Sequence, residues 1–172
     1  MPGAAYFTGR QKGVGLIEIL IAVVILAVGF LAAARMQVTG MRFSQGAYFE
    51  SQAYLMAGDI IARMRANVAG VQAGGYDNLS TSGELQSPGC ATQMCTPEAL
   101  AEQDIFDWSE HLHRESDNAT FTPLLPSSAD VTAQGTVTRM ANGGFSISIV
   151  WADENANDIG QGSLRVDMFT EN

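Results

Sequence analysis

Residues 12–34 read KGVGLIEILIAVVILAVGFLAAA, a lysine and a glycine followed by 21 positions whose single ionisable group is Glu18. At 1.5 Å per residue, a helix over residues 14–34 is about 31 Å long, close to the thickness of a bilayer's hydrocarbon core. The stretch predicts one membrane-spanning helix. Positive charge stands just before it, at Arg10 and at Lys12, the only lysine in the chain. Basic residues in that place hold the N-terminus in the cytoplasm and send the downstream chain across. Everything beyond the span is therefore expected in an extracytoplasmic space.

The order of these parts differs from that of an ordinary secretory signal, whose small-residue cleavage site comes after the apolar core. Here Gly13 comes before it. A cut after Gly13 would remove the basic residues and leave the whole span on the mature chain. Hydropathy alone does not separate this from an uncut signal anchor, but Glu18 does. A carboxylate inside an apolar helix costs about 2.5–3.5 kcal/mol on insertion scales, and such residues serve a function. After a cut at Gly13, Glu18 is the fifth residue, and the new α-amino group of Val14 is a cation one turn away, on its own helix or on a neighbouring one. In a bundle of such helices, Glu18 of one subunit can neutralise the N-terminus of another. The charge is then tolerable in a polymer and costly in a monomer.

Those residues, K-G-V-G-L-I-E at 12–18, resemble the processing site of type IV pilins and of type II secretion pseudopilins. The resemblance implies cleavage between Gly13 and Val14 by a prepilin peptidase, which also methylates the new N-terminus at Val14. It gives Glu18 a part in filament assembly. Two positions depart from the family pattern: Val14 stands where phenylalanine is usual, and Gly15 where threonine or serine is usual.

Beyond the span, charge is strongly one-sided. Residues 67–172 hold 15 of the chain's 18 acidic residues but only Arg114, Arg139 and Arg165 as bases, a net charge of about −12. Such a body repels phosphate, which argues against nucleic-acid binding by its bulk charge. The two cysteines, Cys90 and Cys95, lie in this part. In an oxidising compartment they can close a six-residue loop, worth about 2 kcal/mol by chain entropy. Two free thiols or half a metal site are the alternatives, and C-x4-C alone is a weak zinc signal.

No proline occurs between Pro2 and Pro88. Met36, Phe43, Ala47, Leu55, Ile60, Ile61 and Met64 recur at helical spacing, with charged residues between them. The pattern predicts one helix from Val14 to Ala66, about 80 Å long if uninterrupted. Gly29, Gly40, Gly46 and Gly58 each cost about 1 kcal/mol against alanine. Gly29 is read as a point of close packing in the span, the others as tolerated. Residues 70–89, rich in Gly, Ser and Asn, read as an irregular, exposed loop. Thr96-Pro97-Glu98 is a helix start, with Thr as N-cap, Pro at the first position and an acid in the first turn. The spacing of Leu100, Ala101, Asp104, Ile105, Trp108 and Leu112 predicts a helix over 97–114 with its stripe inside the head.

After Pro123 the period falls to two. Thr136–Ala141 and Phe145–Trp151 read as strands joined across Asn142-Gly143-Gly144, and Leu164–Phe169 as a third strand. The fold class expected is α+β: a long N-terminal helix, transmembrane in its first half, packed against a small antiparallel sheet. The chain then has four parts: a leader at 1–13 that is removed, a transmembrane and polymerisation helix at 14–34, its amphipathic continuation at 35–66, and a periplasmic globular head at 67–172.

The stretch from Cys90 to Trp108 resembles the C-T-P-x-x-L-A-x-x-D-x-x-x-W segment of the PilV family of type IV pilus modification proteins, which are minor pilins. Cys95, Thr96, Pro97, Leu100, Ala101, Asp104 and Trp108 match it. Val150-Trp151-Ala152-Asp153 matches that family's V-x-W-x-D strand end more loosely, with one residue fewer. The resemblance implies a minor pilin that primes filament assembly and can sit at the filament tip. Its partners would be the prepilin peptidase, other minor and major pilins, and the inner membrane before assembly, and its destination the pilus on the cell surface. A type II secretion pseudopilin is the first alternative. An adhesive or DNA-uptake pilin using loop 70–89 is the second.

Other constellations point to no chemistry. The run Asp153 to Asp158 alternates oxygen ligands as an EF-hand loop does, but its sixth position is Asp158 instead of glycine and its twelfth is Leu164. His111 and His113 are about 200° apart on a helix, so they share no ligand face and read as surface residues. The acids of 98–117 read as a wet helix face. No nucleophile elbow or phosphate loop is present. No enzyme activity, metal or cofactor is expected.

Overall fold

The computed structural model describes residues 15–83, 85–113, 123–153 and 160–168. The leader, Gly13, Val14, Arg114, most of the acidic run after Asp153, and Phe169 lie outside the described residues. The chain divides into two compact units, residues 1–41 and 42–172.

Helix α1, Leu16–Ala66, is 51 residues long and enters both units. It is unbroken because no proline interrupts it and its glycines leave the hydrogen-bond ladder intact. It begins two residues later than the sequence predicts. In the first unit the described residues are helical from Leu16 on and exposed throughout, and apart from Glu18 they are apolar on every side up to Ala34. α1 is the one helix among the described residues long and apolar enough to cross a membrane. A Cβ placed on Gly29 would meet nothing within 4 Å, so the close packing expected there is not made among the described residues.

In the second unit, the character of α1 changes. Ala53, Met56, Ala57, Ile60 and Met64 are buried and follow one another at three- and four-residue steps, the stripe that a helix presents to a core. The helix stops at Ala66 because Asn67 leaves helical geometry and caps the next one. Asn67 Oδ1 accepts from Gly70 N at 3.1 Å, opening α2, Val68–Gln72. Helix α3, Pro97–Leu112, starts as read from the sequence, with Thr96 Oγ1 accepting from Ala99 N at 3.3 Å. It ends two residues earlier than predicted, because His113 adopts an extended backbone.

Four antiparallel strands form one sheet in sequence order: β1 Leu79–Ser80, β2 Gln134–Arg139, β3 Phe145–Ala152 and β4 Gln161–Met168. The period-two reading holds along β3. Phe145, Ile147, Ile149 and Trp151 are buried, opposite Met168, Val166, Leu164 and Gly162 of β4. Strand ends differ from expectation. β2 lies two residues earlier, because Arg139 pairs with Phe145 and leaves residues 140–144 to make the turn, with Gly143 at φ +86°. β4 starts three residues earlier, at Gln161, because Ala152 is still available to pair with it.

The segment read as an irregular exposed loop at 70–89 is largely integrated into the head. It contains the end of α2 and strand β1, which pairs with β2 through Leu79 and Val137. Tyr76 and Thr81 in it are fully buried. Thr81 Oγ1 accepts from Gly135 N, and Thr81 N donates to Gly135 O, both at 2.9 Å. Local glycine content does not reveal this, since the contacts that order the segment come from β2, 54 residues away at Gly135.

The core joins the α1 stripe, the inner face of α3 and the concealed face of the sheet. Trp108 is fully buried at its centre and donates from Nε1 to Met56 O at 2.9 Å. Its ring lies against β2 at Gly135, where any Cβ would overlap it. Overpacking of a closed core costs about 1–3 kcal/mol. Gly135→Ala is therefore expected to destabilise the detergent-solubilised chain by about 2 kcal/mol, read as a lowered midpoint in thermal unfolding followed by tryptophan fluorescence.

Candidate functional site

The sequence singles out two regions, the start of the apolar helix and the stretch from Cys90 to Trp108. Of the first, Gly13 and Val14 lie outside the described residues. Glu18 is in the first turn of α1, exposed, with its N–H donating to Gly15 O at 2.9 Å. A carboxylate there complements the positive end of the helix dipole. It faces no cation among the described residues.

The second region is a set of fasteners within the head. Cys90 and Cys95 are bonded, S–S 2.03 Å. The loop they close is tied to α3 by Gln103, whose Oε1 accepts from Ser87 Oγ at 2.8 Å, Gly89 N at 3.1 Å and Cys90 N at 3.2 Å. Thr96 and Pro97 start α3. Ala101 is fully buried, and a Cβ on Gly75 would stand 3.1 Å from its own. Leu100 departs from the expected stripe and stays partly exposed.

Asp104 corrects the reading of the α3 acids as a solvated face. It is 8% exposed and sits among partners. Tyr76 donates its hydroxyl proton to Asp104 Oδ2. Arg63 of α1 donates from Nη1 to Asp104 Oδ1 at 3.3 Å and to Asp107 Oδ2 at 3.2 Å, and from Nε to Asp59 Oδ2 at 3.0 Å. Burial raises the Tyr76 phenol well above its ordinary range, and the Asp104 carboxylate raises it further, so Tyr76 remains a donor. Burial by itself would lower the Arg63 guanidinium; the hydrogen bonds and charges of Asp59 and Asp104 outweigh it and raise the group. Asn67 extends the network, donating from Nδ2 to Pro97 O at 2.7 Å and to Tyr76 Oη at 3.2 Å.

Sequence reasoning passed over Arg63, Asn67, Tyr76 and Gln103. For Arg63 a signal was present: it falls four residues after Asp59, the spacing of a helical ion pair. The others are set by chain segments distant in sequence. His111 and His113 are half-buried, not surface residues, and His111 Nδ1 lies 2.6 Å from Asp107 O. Among the described residues, no three His, Cys, Asp or Glu side chains gather as a metal ion would require. The acidic run that departs from a calcium loop lies, from residue 154 to 158, outside the described residues.

Residues 35–106 match the family model described as Type IV pilin Tt1218, and residues 8–34 match the prokaryotic N-terminal methylation motif. The two matches adjoin and cover both regions singled out by the sequence, except for the last two residues, Asp107 and Trp108. No curated protein matches the chain, and no solved structure does.

Breaking a buried ion pair by removing one partner leaves the other charge uncompensated, at about 3–5 kcal/mol. Asp104→Ala removes the acceptor of both Tyr76 and Arg63, although Arg63 keeps Asp59 and Asp107. A loss of about 3 kcal/mol is expected, measured by urea unfolding in detergent. Reducing the Cys90–Cys95 bond should cost less, about 2 kcal/mol, and a loss of stability in dithiothreitol equal to that of Asp104→Ala would contradict this ranking.

Proposed function

We infer that this chain, which carries the type IV pilin match and the prepilin methylation motif, is a minor pilin that helps to prime the pilus filament. The observation that carries the reading is a single carboxylate, Glu18, at the fifth position after the expected cut, in a helical stretch, residues 16–34, that is otherwise apolar and exposed on every side. Such a helix is not stable in water. It is accommodated first by the inner membrane and then by neighbouring helices of the same kind.

The chain is inserted with residues 1–13 in the cytoplasm and the acidic head in the periplasm. The prepilin peptidase cuts between Gly13 and Val14 and methylates Val14. The freed ammonium and Glu18 of an adjacent subunit then neutralise each other, and the desolvation cost that each charge bears alone favours the polymer. Residues 14–34 form the span, residues 35–66 continue it, and 67–172 complete the head. The match of Cys95-Thr96-Pro97, Leu100, Ala101, Asp104 and Trp108 to the PilV segment supports a minor pilin over a secretion pseudopilin. The family description, Type IV pilin, points the same way.

The buried roles of Asp104 and Trp108 bear on what that segment does. They fix the head's shape and do not themselves offer a ligand surface. Adhesion or DNA uptake by an open loop at 70–89 loses support, since much of that segment is paired or buried.

Deletion of the chain is expected to lower the number of surface pili, counted by electron microscopy, and unchanged piliation would refute the priming role. Glu18→Ala should still be cut after Gly13, seen as the mature mass, yet be depleted from sheared filaments. Normal incorporation of that variant would refute charge neutralisation as the driving force.

A further inference from the structure

Cys90 and Cys95 are half-buried, while residues 91–94 between them are exposed, so small solutes can reach the bond. Both ends of this loop rest on α3 through contacts that do not involve the bond between the sulfurs. Cys95 directly precedes Thr96, which caps α3 by accepting from Ala99 N at 3.3 Å through Oγ1 and from Leu100 N at 2.9 Å through its carbonyl. Cys90 hangs on Gln103, whose Oε1 accepts from Cys90 N together with Gly89 N and Ser87 Oγ. Within the loop, Thr92 N and Oγ1 donate to Gly89 O at 3.0 and 3.1 Å, and Gln93 Nε2 donates to Pro88 O at 2.7 Å. The Gln103 amide is itself fixed, since its Nε2 donates to Asp107 Oδ1 at 2.8 Å. A carboxylate only accepts, so the amide nitrogen faces Asp107 and the amide oxygen faces the loop. Cys90 Sγ lies 3.7 Å from Ala99 O. A disulfide sulfur has no proton to donate there, but a thiol has one, so reduction gives Cys90 a seat on α3 instead of releasing it.

We propose that Gln103 holds the two thiols in closing geometry when the bond is open, which makes Cys90–Cys95 a site of reversible thiol–disulfide exchange in the folded head. The co-reactant is a low-molecular-weight disulfide in one direction and its thiol in the other. Closure takes two exchanges. One cysteine thiolate attacks a sulfur of the external disulfide, forming a mixed disulfide and expelling one thiolate. The second cysteine thiolate attacks the cysteine sulfur of the mixed disulfide, forming the Cys90–Cys95 bond and expelling the other. The cysteine pair loses two electrons, the external disulfide gains them, and two protons pass to the expelled thiolates. A free loop of this length samples many arrangements, and each one that Gln103 excludes raises the effective concentration of one thiol about the other. Gln103 is thus a positioning residue for the bond, and the anchor runs from Cys90 through Gln103 and Asp107 to Arg63 of α1.

The test uses the full-length chain in detergent, equilibrated with mixtures of reduced and oxidised glutathione, quenched in acid and read by mass after alkylation of free thiols. Gln103→Leu, close in size but without an acceptor, should lower the equilibrium constant for closure about tenfold, equivalent to about 30 mV for two electrons. Gln103→Glu combined with Asp107→Asn exchanges the two ends of their contact, keeping an acceptor for the loop and a donor to hold it. That double variant should return the constant to within about twofold of the parent. In urea that unfolds the head, all three chains should close alike, because no loop contact survives there. Hydrogen exchange on the reduced parent needs no variant. The amides of Gly89 and Cys90 should stay protected after reduction, while tryptophan fluorescence reports that the head is folded. Loss of protection at both amides on reduction, a parent-like constant in Gln103→Leu, failure of the double variant to recover, or a deficit that persists in urea would each overturn the proposal.

Discussion

Asp104 is nearly buried, and a buried carboxylate survives only where its charge is met. It is met from two directions, by Arg63 of α1 and by the Tyr76 hydroxyl from the turn before β1. These contacts join three pieces of chain distant in sequence. One turn further along α3, Trp108 reaches α1 again through Met56 O and lies against Gly135 of β2. The polar contact sets which way α3 lies, and the indole fills the space that this orientation leaves. Most of the head's remaining order can be traced from this pair, including the burial of Ala101 and the support of the disulfide loop by Gln103.

α1 answers to two different solvents. Over residues 16–34 it is apolar on all sides apart from Glu18, which suits lipid or a packed bundle of like helices. From Ala53 to Met64 its apolar residues narrow to the stripe that covers the core, and Asp59 and Arg63 appear beside it. Glu18, Arg35 and Arg42 have no ion pair among the described residues.

The span, the single carboxylate within it, the start of α3 at Thr96-Pro97 and the alternation of β3 are all legible in the sequence. Each depends on residues within a few positions of one another, where spacing alone fixes which side faces where. The resemblance at 12–18 agrees with the N-terminal methylation motif matched over residues 8–34, while the model matched over residues 35–106 is that of Type IV pilin Tt1218 and not of the PilV family. Segment 70–89 misleads for the same reason in reverse. Its glycines and serines say loop, while Thr81 and Leu79 are ordered by β2, which the local sequence does not contain.

The amino-acid sequence by itself determined that there is one apolar helix, that a single acid interrupts it near its start, and that the acidic remainder is α+β. Hydrophobic periodicity and charge suffice for these, because they act along the chain. Only the tertiary structure decided that Asp104 is a core residue and not a wet one, and that Tyr76 is its donor. An acidic side chain on a helix has the same local signature whether water or an arginine answers it. Which of the two answers is fixed by the distant segment that the fold brings alongside.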